Sequence, residues 1–533
     1  MRQMFASALL ALMAVVPPAL AQDDPSLLPP RDLPRAEEMQ RRAADWRNGA
    51  VVYQIIVDRF APPADLKGKR SRYSTPRRLR SWKETPKKGT YLEDAQVWSH
   101  EVDFWGGDLA SLQGKLDYLE GLGVDVVYLN PIFESLTNHK YDAWDYHTVD
   151  PVYGTRADLK ALADSLHGRG MKLVLDGVFN HMGRKSPHFK EALADPKNPW
   201  HEFFVWRSDD PKLPVTWLDV DNLPELNIEN PKVQDYIYAR PDSVVQSYML
   251  NEGVDGWRLD VAFDLGFKYL KELTDAAHGA KPGSLIVGEI WNYPEDWYPS
   301  VDGVMNMHGR AMLLKMLDGT LPGPLASSMW ETMVEEAGYD HLLKAWIVMD
   351  NHDTDRLNRI LKQPWQVEMA RVLQFTLPGS VCLYYGSEVG MEGGEDPENR
   401  APMRWDLVQE GNPLLQLHRK LLKLRQEQPA LRIGDFRRLH SQKLFAFLRR
   451  TVSAKETLVI LANPTDQPVR EFVQLREGKL QDVTPMRDLL GSKVAPTVFG
   501  GFIDVEVPAH STVVLQPDTS TYPKGYKRYD RLP

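Results

Sequence analysis

From Val51 to about Leu383, short β-branched runs alternate with longer stretches whose apolar residues recur at helical spacing. A period of two giving way to a period near 3.6 is the mark of strands and surface helices that each bury one face. The strand-like runs are VVYQIIV (51–57), VDVVYL (124–129), MKLVLD (171–176), VDGWRLD (254–260), SLIVGE (284–289), KAWIVMD (344–350) and SVCLYY (380–385). Between them lie helical patterns over 108–123, 157–170 and 267–279, with Gly123, Gly170 and Gly279 where helices would stop. Seven such strands, with an eighth expected between 301 and 306, predict an α/β chain built on a (β/α)8 TIM barrel.

Three stretches break the alternation. Residues 61–104 form a long insertion after the first strand, with ten Lys/Arg between Lys67 and Lys88, and read as a solvated basic loop, with a docking patch as the alternative. Residues 182–222, rich in Pro, Trp and charge, predict a small lobe over the barrel mouth after the third strand. Beyond the helical pattern 412–426 the period returns to two (LFAFLRR, ETLVILAN, FIDVEV, STVVLQ), which predicts an antiparallel β-sandwich domain over 430–517 after a barrel domain over 50–429 that includes the lobe. The tail 518–533 reads as frayed, and Pro241 should kink or split the helical pattern between Val233 and Leu250.

The N-terminus changes the picture of where the chain works. Arg2, the apolar run FASALLALMAVV and the small residues Ala19-Leu20-Ala21 predict a signal peptide over 1–21, followed by an extension over 22–49. The run is about a dozen residues where a membrane span needs about 20, so no anchor is expected after cleavage. Export to the periplasm is preferred over release to the medium, because the signal is bacterial in type. Of 533 residues, 43% are hydrophobic and 26% charged, enough apolar material for a large core. A net charge of −9, or −10 once Arg2 is removed, argues against a nucleic-acid partner. The single cysteine, Cys382, lies in an apolar run and reads as a core thiol.

Reactive groups in such a barrel project from the C-terminal ends of strands. Four strands end in candidates: Asp176 with Asn180 and His181, Arg258 with Asp260, Glu289, and His352 with Asp353. Carboxylates beside an arginine and histidines, with no phosphate loop, suit glycosidic cleavage, in which one carboxylate attacks the anomeric carbon and another protonates the leaving oxygen. Arg258 beside Asp260 should keep that aspartate ionised, and Glu289, flanked by Val287 and Ile290, is the better proton donor.

These residues stand in motifs that resemble the α-amylase family of glycoside hydrolases: DGVFNH (176–181), LPELN (223–227), GWRLDVA (256–262), GEIW (288–291) and DNHD (350–353), in the family's order over nearly all of 50–515. The resemblance implies Asp260 as nucleophile, Glu289 as acid/base and Asp353 as the stabiliser that binds sugar hydroxyls, with retention of configuration. It implies sugar contacts for His181, Arg258 and His352, a supporting Asp176, a stacking platform at Tyr141 within HKYDAWDYHTVDPVYG (139–154), and Asp396 and Arg400 of DPENR on the far side of the sugar. Trp105, Trp217 and Trp291 are candidates for neighbouring subsites, with ordinary packing as the alternative.

Departures narrow the substrate. The HKYD segment, the short lobe and DTDR (353–356) are similar to cyclomaltodextrinases, neopullulanases and maltogenic amylases. Their additional N-terminal domain has no room in the 28 residues of 22–49, so the chain is expected to act as a monomer. Phe263 and Asp264 stand where many α-amylases have Lys-His. The chemistry requires no cofactor. Asn180 and the Gly106–Asp108 turn match places where relatives bind calcium, which leaves a Ca2+ site open, although APPADLKGK (61–69) lacks the Asn/Asp ladder those relatives use. The expected partner is an α-glucan, maltooligosaccharide or cyclodextrin, hydrolysed at α-1,4 bonds. Transfer of glucosyl or maltosyl units to another sugar, α-glucosidase action and a non-catalytic carbohydrate-binding role are the alternatives.

Overall fold

The structure, a computed structural model, describes residues 28–520, 529, 531 and 532, so the expected signal peptide lies outside the described residues. Eight parallel strands close a barrel: β1 (Val51–Ile55), β2 (Val126–Leu129), β3 (Lys172–Gly177), β4 (Gly256–Leu259), β5 (Leu285–Ile290), β6 (Gly303–Asn306), β7 (Trp346–Val348) and β8 (Ser380–Tyr384). The strand expected between 301 and 306 is β6; Gly303 at its start has the Lys344 backbone 2.7 Å from where a Cβ would sit. Side chains from nearly every strand fill the barrel, among them Val52, Tyr128, Val287, Trp346 and Cys382. Cys382 is fully buried, and burial pushes its thiol well up.

Register decides which polar groups meet. Arg258 lies directly opposite Asp176 on β3 and opposite Val287 on β5, two residues before Glu289. Between β2 and β3 runs the helix Arg156–His167, opened by a Thr155–Asp158 capping box. The helical pattern of 108–123 becomes two helices, Leu109–Gln113 and Leu116–Leu122, interrupted at Gly114, a poor helix interior residue. Pro241 splits its segment: one helical stretch ends at Ala239, and another, Val244–Asn251, restarts behind the Ser243 cap.

In the lobe after β3, Val205 and Leu226 donate main-chain bonds to Glu225 O and Asn180 O, which ties LPELN to the end of that strand. The C-terminal domain pairs a five-stranded antiparallel sheet (435–517) with a three-stranded one, and Val459, Leu461, Val473, Ile503, Val505 and Val513 fill the space between them. The N-terminal helix Leu33–Ala44 docks on this domain, where Arg42 donates to Asp435 (2.8 Å). In the tail, Tyr529 is not frayed: it is buried and its hydroxyl accepts from Gln481 N at 2.9 Å.

Candidate active site

The barrel's C-terminal mouth brings together all ten residues expected to act on or bind a sugar. At its floor the guanidinium of Arg258, fully buried, is shared by three carboxylates: Nη1 lies 2.8 Å from Asp176 Oδ1 and 2.9 Å from Asp260 Oδ1, and Nη2 lies 2.9 Å from Glu289 Oε2. Asp176 also accepts from the hydroxyls of Tyr128 (2.6 Å) and Tyr141 (2.9 Å). Glu289 accepts from Val261 N (3.0 Å) through one oxygen and from Trp291 Nε1 (3.1 Å) through the other. Val261 reaches it only by adopting a left-handed backbone (φ 47°), a conformation that a β-branched residue rarely takes and that marks strain next to the reacting groups.

One electrostatic expectation is not met. Burial raises the Asp260 carboxyl well above its ordinary value and outweighs Arg258, with Glu289, Asp176 and Asp353 adding to the rise. Asp176 is raised too, again by burial. Two of the three carboxylates gathered on one guanidinium, Asp260 and Asp176, are thus raised, by burial first and for Asp260 also by the neighbouring carboxylates.

Asp353 lies above this floor and is the most exposed of the three expected catalytic acids. Its carboxylate faces His352 Nε2 (3.1 Å), Asn351 Nδ2 (3.4 Å) and Arg400 Nη2 (3.5 Å). Gln54 Nε2 donates to His352 Nδ1 (2.9 Å), which leaves Nε2 to carry the proton toward the Tyr141 hydroxyl at 2.5 Å. Burial, followed by the repulsion of Arg400 and Arg258, drives the His352 imidazole well below its ordinary value, so it stays neutral. Tyr141 stacks on it with ring planes 5° apart. The platform is fixed from beneath by Lys140, buried against Asp150 at 2.6 Å. Asp396 opposes burial with Arg400 and His100 beside it and is held well below the carboxylate range.

His181 is the part that lacks a partner. It is buried, stacks on Trp217 and makes no hydrogen bond of ordinary geometry at either ring nitrogen among the described residues, while burial, against a raising contact with the Tyr141 backbone, lowers its imidazole to about 3. A neutral ring with unsatisfied nitrogens at a cleft floor is available to a ligand hydroxyl. Of the tryptophan candidates, Trp105 is packing: it is buried under Arg59, with Nε1 on Glu84 O (2.8 Å). Trp291 is 54% exposed beside Glu289, and Trp217 donates to Asp264 (3.0 Å), one of the two residues standing in place of Lys-His. Gln54 and Asn130 were not singled out from the sequence, yet Gln54 binds His352 and Asn130 Nδ2 binds the Tyr141 hydroxyl at 3.0 Å. Their signal was a polar residue within an apolar strand (Gln54) or just beyond one (Asn130). Cleft residues from loops, such as His100 beside Asp396 (3.6 Å), left no such signal.

Of the two residues offered to calcium, Asn180 is buried with its side-chain nitrogen unpaired, and no group of three His, Cys, Asp or Glu suited to a metal occurs among the described residues. Asp108 caps the helix Leu109–Gln113 with one oxygen (Ser111 N, 2.7 Å) and receives Lys69 Nζ on the other (2.7 Å).

Comparison with known proteins agrees with this geometry. The family model "Alpha amylase, catalytic domain" matches residues 78–413. The chain is 32% identical over 463 residues to a cyclomaltodextrinase of Thermoanaerobacter pseudethanolicus, covering 84% of this chain and 75% of that protein. It is 31% identical over 438 residues to neopullulanase 2 of Thermoactinomyces vulgaris, covering 79% and 70%. Among solved structures, the cyclic α-maltosyl-(1→6)-maltose hydrolase of Arthrobacter globiformis aligns with a TM-score of 0.72 at 27% identity, over 89% of this chain and 99% of that one. An eight-stranded barrel with carboxylates at the ends of β3, β4 and β5, a match to the catalytic-domain model and relatives above 30% identity place the chain in the α-amylase family of glycosidases.

Proposed function

We propose that this chain is an exported, retaining hydrolase of α-1,4-glucosidic bonds in maltooligosaccharides and cyclodextrins. The observation that carries the reading is the Arg258 cluster: Asp260 Oδ1 and Glu289 Oε2, at the ends of neighbouring strands, each lie 2.9 Å from one guanidinium. In the first step an Asp260 oxygen bonds to the anomeric carbon as the C1–O bond breaks, and Glu289 gives its proton to the departing oxygen. This step needs Glu289 protonated and Asp260 ionised. In the second step Glu289 takes a proton from water, whose oxygen displaces Asp260 and restores the original configuration.

Asp353, His352 and Arg400 line one side of the bound ring, Tyr141 supplies an aromatic face for its C–H groups, and His181 offers its free nitrogens to a hydroxyl. The likeness to a cyclomaltodextrinase supports short and cyclic substrates. The N-terminal signal pattern supports export. The test is to incubate the purified protein with maltoheptaose, β-cyclodextrin, pullulan, starch and trehalose and follow products by chromatography. Rapid release of reducing sugar from maltoheptaose and β-cyclodextrin, with slower attack on starch, is expected. Coupling products with little reducing sugar would replace hydrolysis by transfer, and preference for trehalose would reject the bond assignment.

A further inference from the structure

Most of the basic insertion 61–104 faces solvent, but the side chain of Lys69 is only 9% exposed. Its ammonium sits among three oxygens: Asp108 Oδ2 at 2.7 Å, Gly106 O at 2.8 Å and Val152 O at 3.0 Å. An ammonium has three N–H donors, and each is matched.

The oxygens are aimed independently of the lysine. Gly106 holds φ +85° while its N–H and that of Trp105 donate to the buried Asp58 carboxylate (2.8 and 2.9 Å). Gly107 lies so close to the short helix Val57–Phe60 after β1 that a Cβ would meet Val57 O at 2.2 Å. Val152 N is fixed by Asp150 Oδ1 at 3.0 Å. Two backbone carbonyls and a carboxylate put three hard oxygens, the donor type calcium takes, at the turn where the sequence left calcium open; the rest of the about six to eight that calcium needs would have to come from water. With the lysine in place the residues present do not fit a divalent ion, because its charge and its oxygens are already taken.

We propose that Lys69 is a resident cation: its ammonium stands where a divalent metal would otherwise tie the insertion to the 106–108 and 150–154 turns, and removing that ammonium opens a latent Ca2+ site. The inference is independent of the sugar the cleft accepts. It joins the insertion to the segment that carries Tyr141, since Asp150 anchors both Val152 and Lys140.

The test measures the melting temperature of the full chain in EDTA and in about 1 mM CaCl2, at the weak end of protein calcium sites. Wild type is expected to melt alike in both. Lys69→Ala and Lys69→Glu should melt lower in EDTA and recover with Ca2+, the Glu variant more steeply because its carboxylate opposes Asp108 until a cation joins them. Adding Asp108→Asn to Lys69→Glu should remove the recovery. Terbium luminescence sensitised by the neighbouring Trp105 should appear in the Lys69→Glu chain and not in wild type. Lys69→Met keeps the stem and provides a second charge-free variant should Ala fold poorly. Wild type that loses stability in EDTA, or Lys69 variants that respond to Ca2+ and Tb3+ no more than wild type, would overturn the proposal.

Discussion

Arg258 is the residue on which the chemistry turns. Its three carboxylate partners come from three consecutive strands, and none can lose the guanidinium without leaving a desolvated charge. The pH dependence follows from this arrangement. Attack requires an ionised Asp260 whose carboxyl is raised well above 3.8, so kcat/KM should fall as pH drops through that raised value, earlier than for an ordinary aspartate. On the neutral side neither His181, held at about 3, nor His352, held well below 6.5, supplies a limb near pH 6.5. A profile of kcat/KM against pH on maltotriose checks both statements; a limb near 6.5 that vanishes in a His352 variant would contradict the second. Glu289→Gln should cost about 10²–10⁴ in kcat on maltooligosaccharides. α-Maltosyl fluoride, whose leaving group needs no proton, should lose far less in its first step, and equal losses on both substrates would remove Glu289 from the proton-donor role.

At the scale of the element, the strands position the chemistry and the helices hold the strands. The helix Ala262–Ala280 ends with His278 bonded to Asp302 at 2.9 Å, and Asp302 in turn accepts from Ile286 N, at the start of β5 (2.8 Å). That bond raises the His278 pKa above 6.5 against the effect of burial. A raised folded-state value means that the stabilisation is complete below pH 6.5 and fades as pH rises through the folded value. The melting difference between wild type and His278→Gln should therefore shrink between pH 6 and 8, from an initial value below about 1 kcal/mol because the ring is one-third exposed. A constant or growing difference would refute the coupling.

Elements also set how much could be read beforehand. Strand-end acids were legible because a barrel places reactive groups there, and Asp176, Arg258, Asp260, Glu289, His352 and Asp353 all lie within a residue or a few of a strand's end. Lys69 was not, because local sequence shows ten cations in a loop and cannot show that one of them meets carbonyls 37 and 83 residues away. The rise of the Asp260 carboxyl was not legible for a related reason: a neighbouring arginine is visible in the sequence, while the burial and the further carboxylates that outweigh it arise only on folding.

At the scale of the whole molecule, the barrel's helical layer and one face of the C-terminal five-stranded sheet share an apolar cluster, while the barrel and the sandwich each keep an interior of their own. Phe436, Phe445, Phe447, Ile460 and Val514 belong to the same apolar cluster as the barrel's helices. Gly323, at the start of the helix Gly323–Ala337, has Phe445 N 2.8 Å from where a Cβ would lie, and Ser327 donates to Ala446 O at 2.9 Å. Arg449 crosses the same boundary fully buried, donating to Thr376 O (2.8 Å) and Gly434 O (2.9 Å) with no carboxylate hydrogen-bonded to it. Continuity of this kind makes the two parts unfold together, since exposing the inner sheet strips one wall of the barrel's helical layer. Calorimetry of the wild type should show one transition. Arg449→Ala leaves those carbonyls unpaired in a cavity, with an expected loss of about 2–4 kcal/mol, and should lower that single transition as a unit. Two resolved transitions, or a fall in only one of them, would show that the sandwich is a separable attachment, and its loss would then leave the cleft of Asp260 and Glu289 intact.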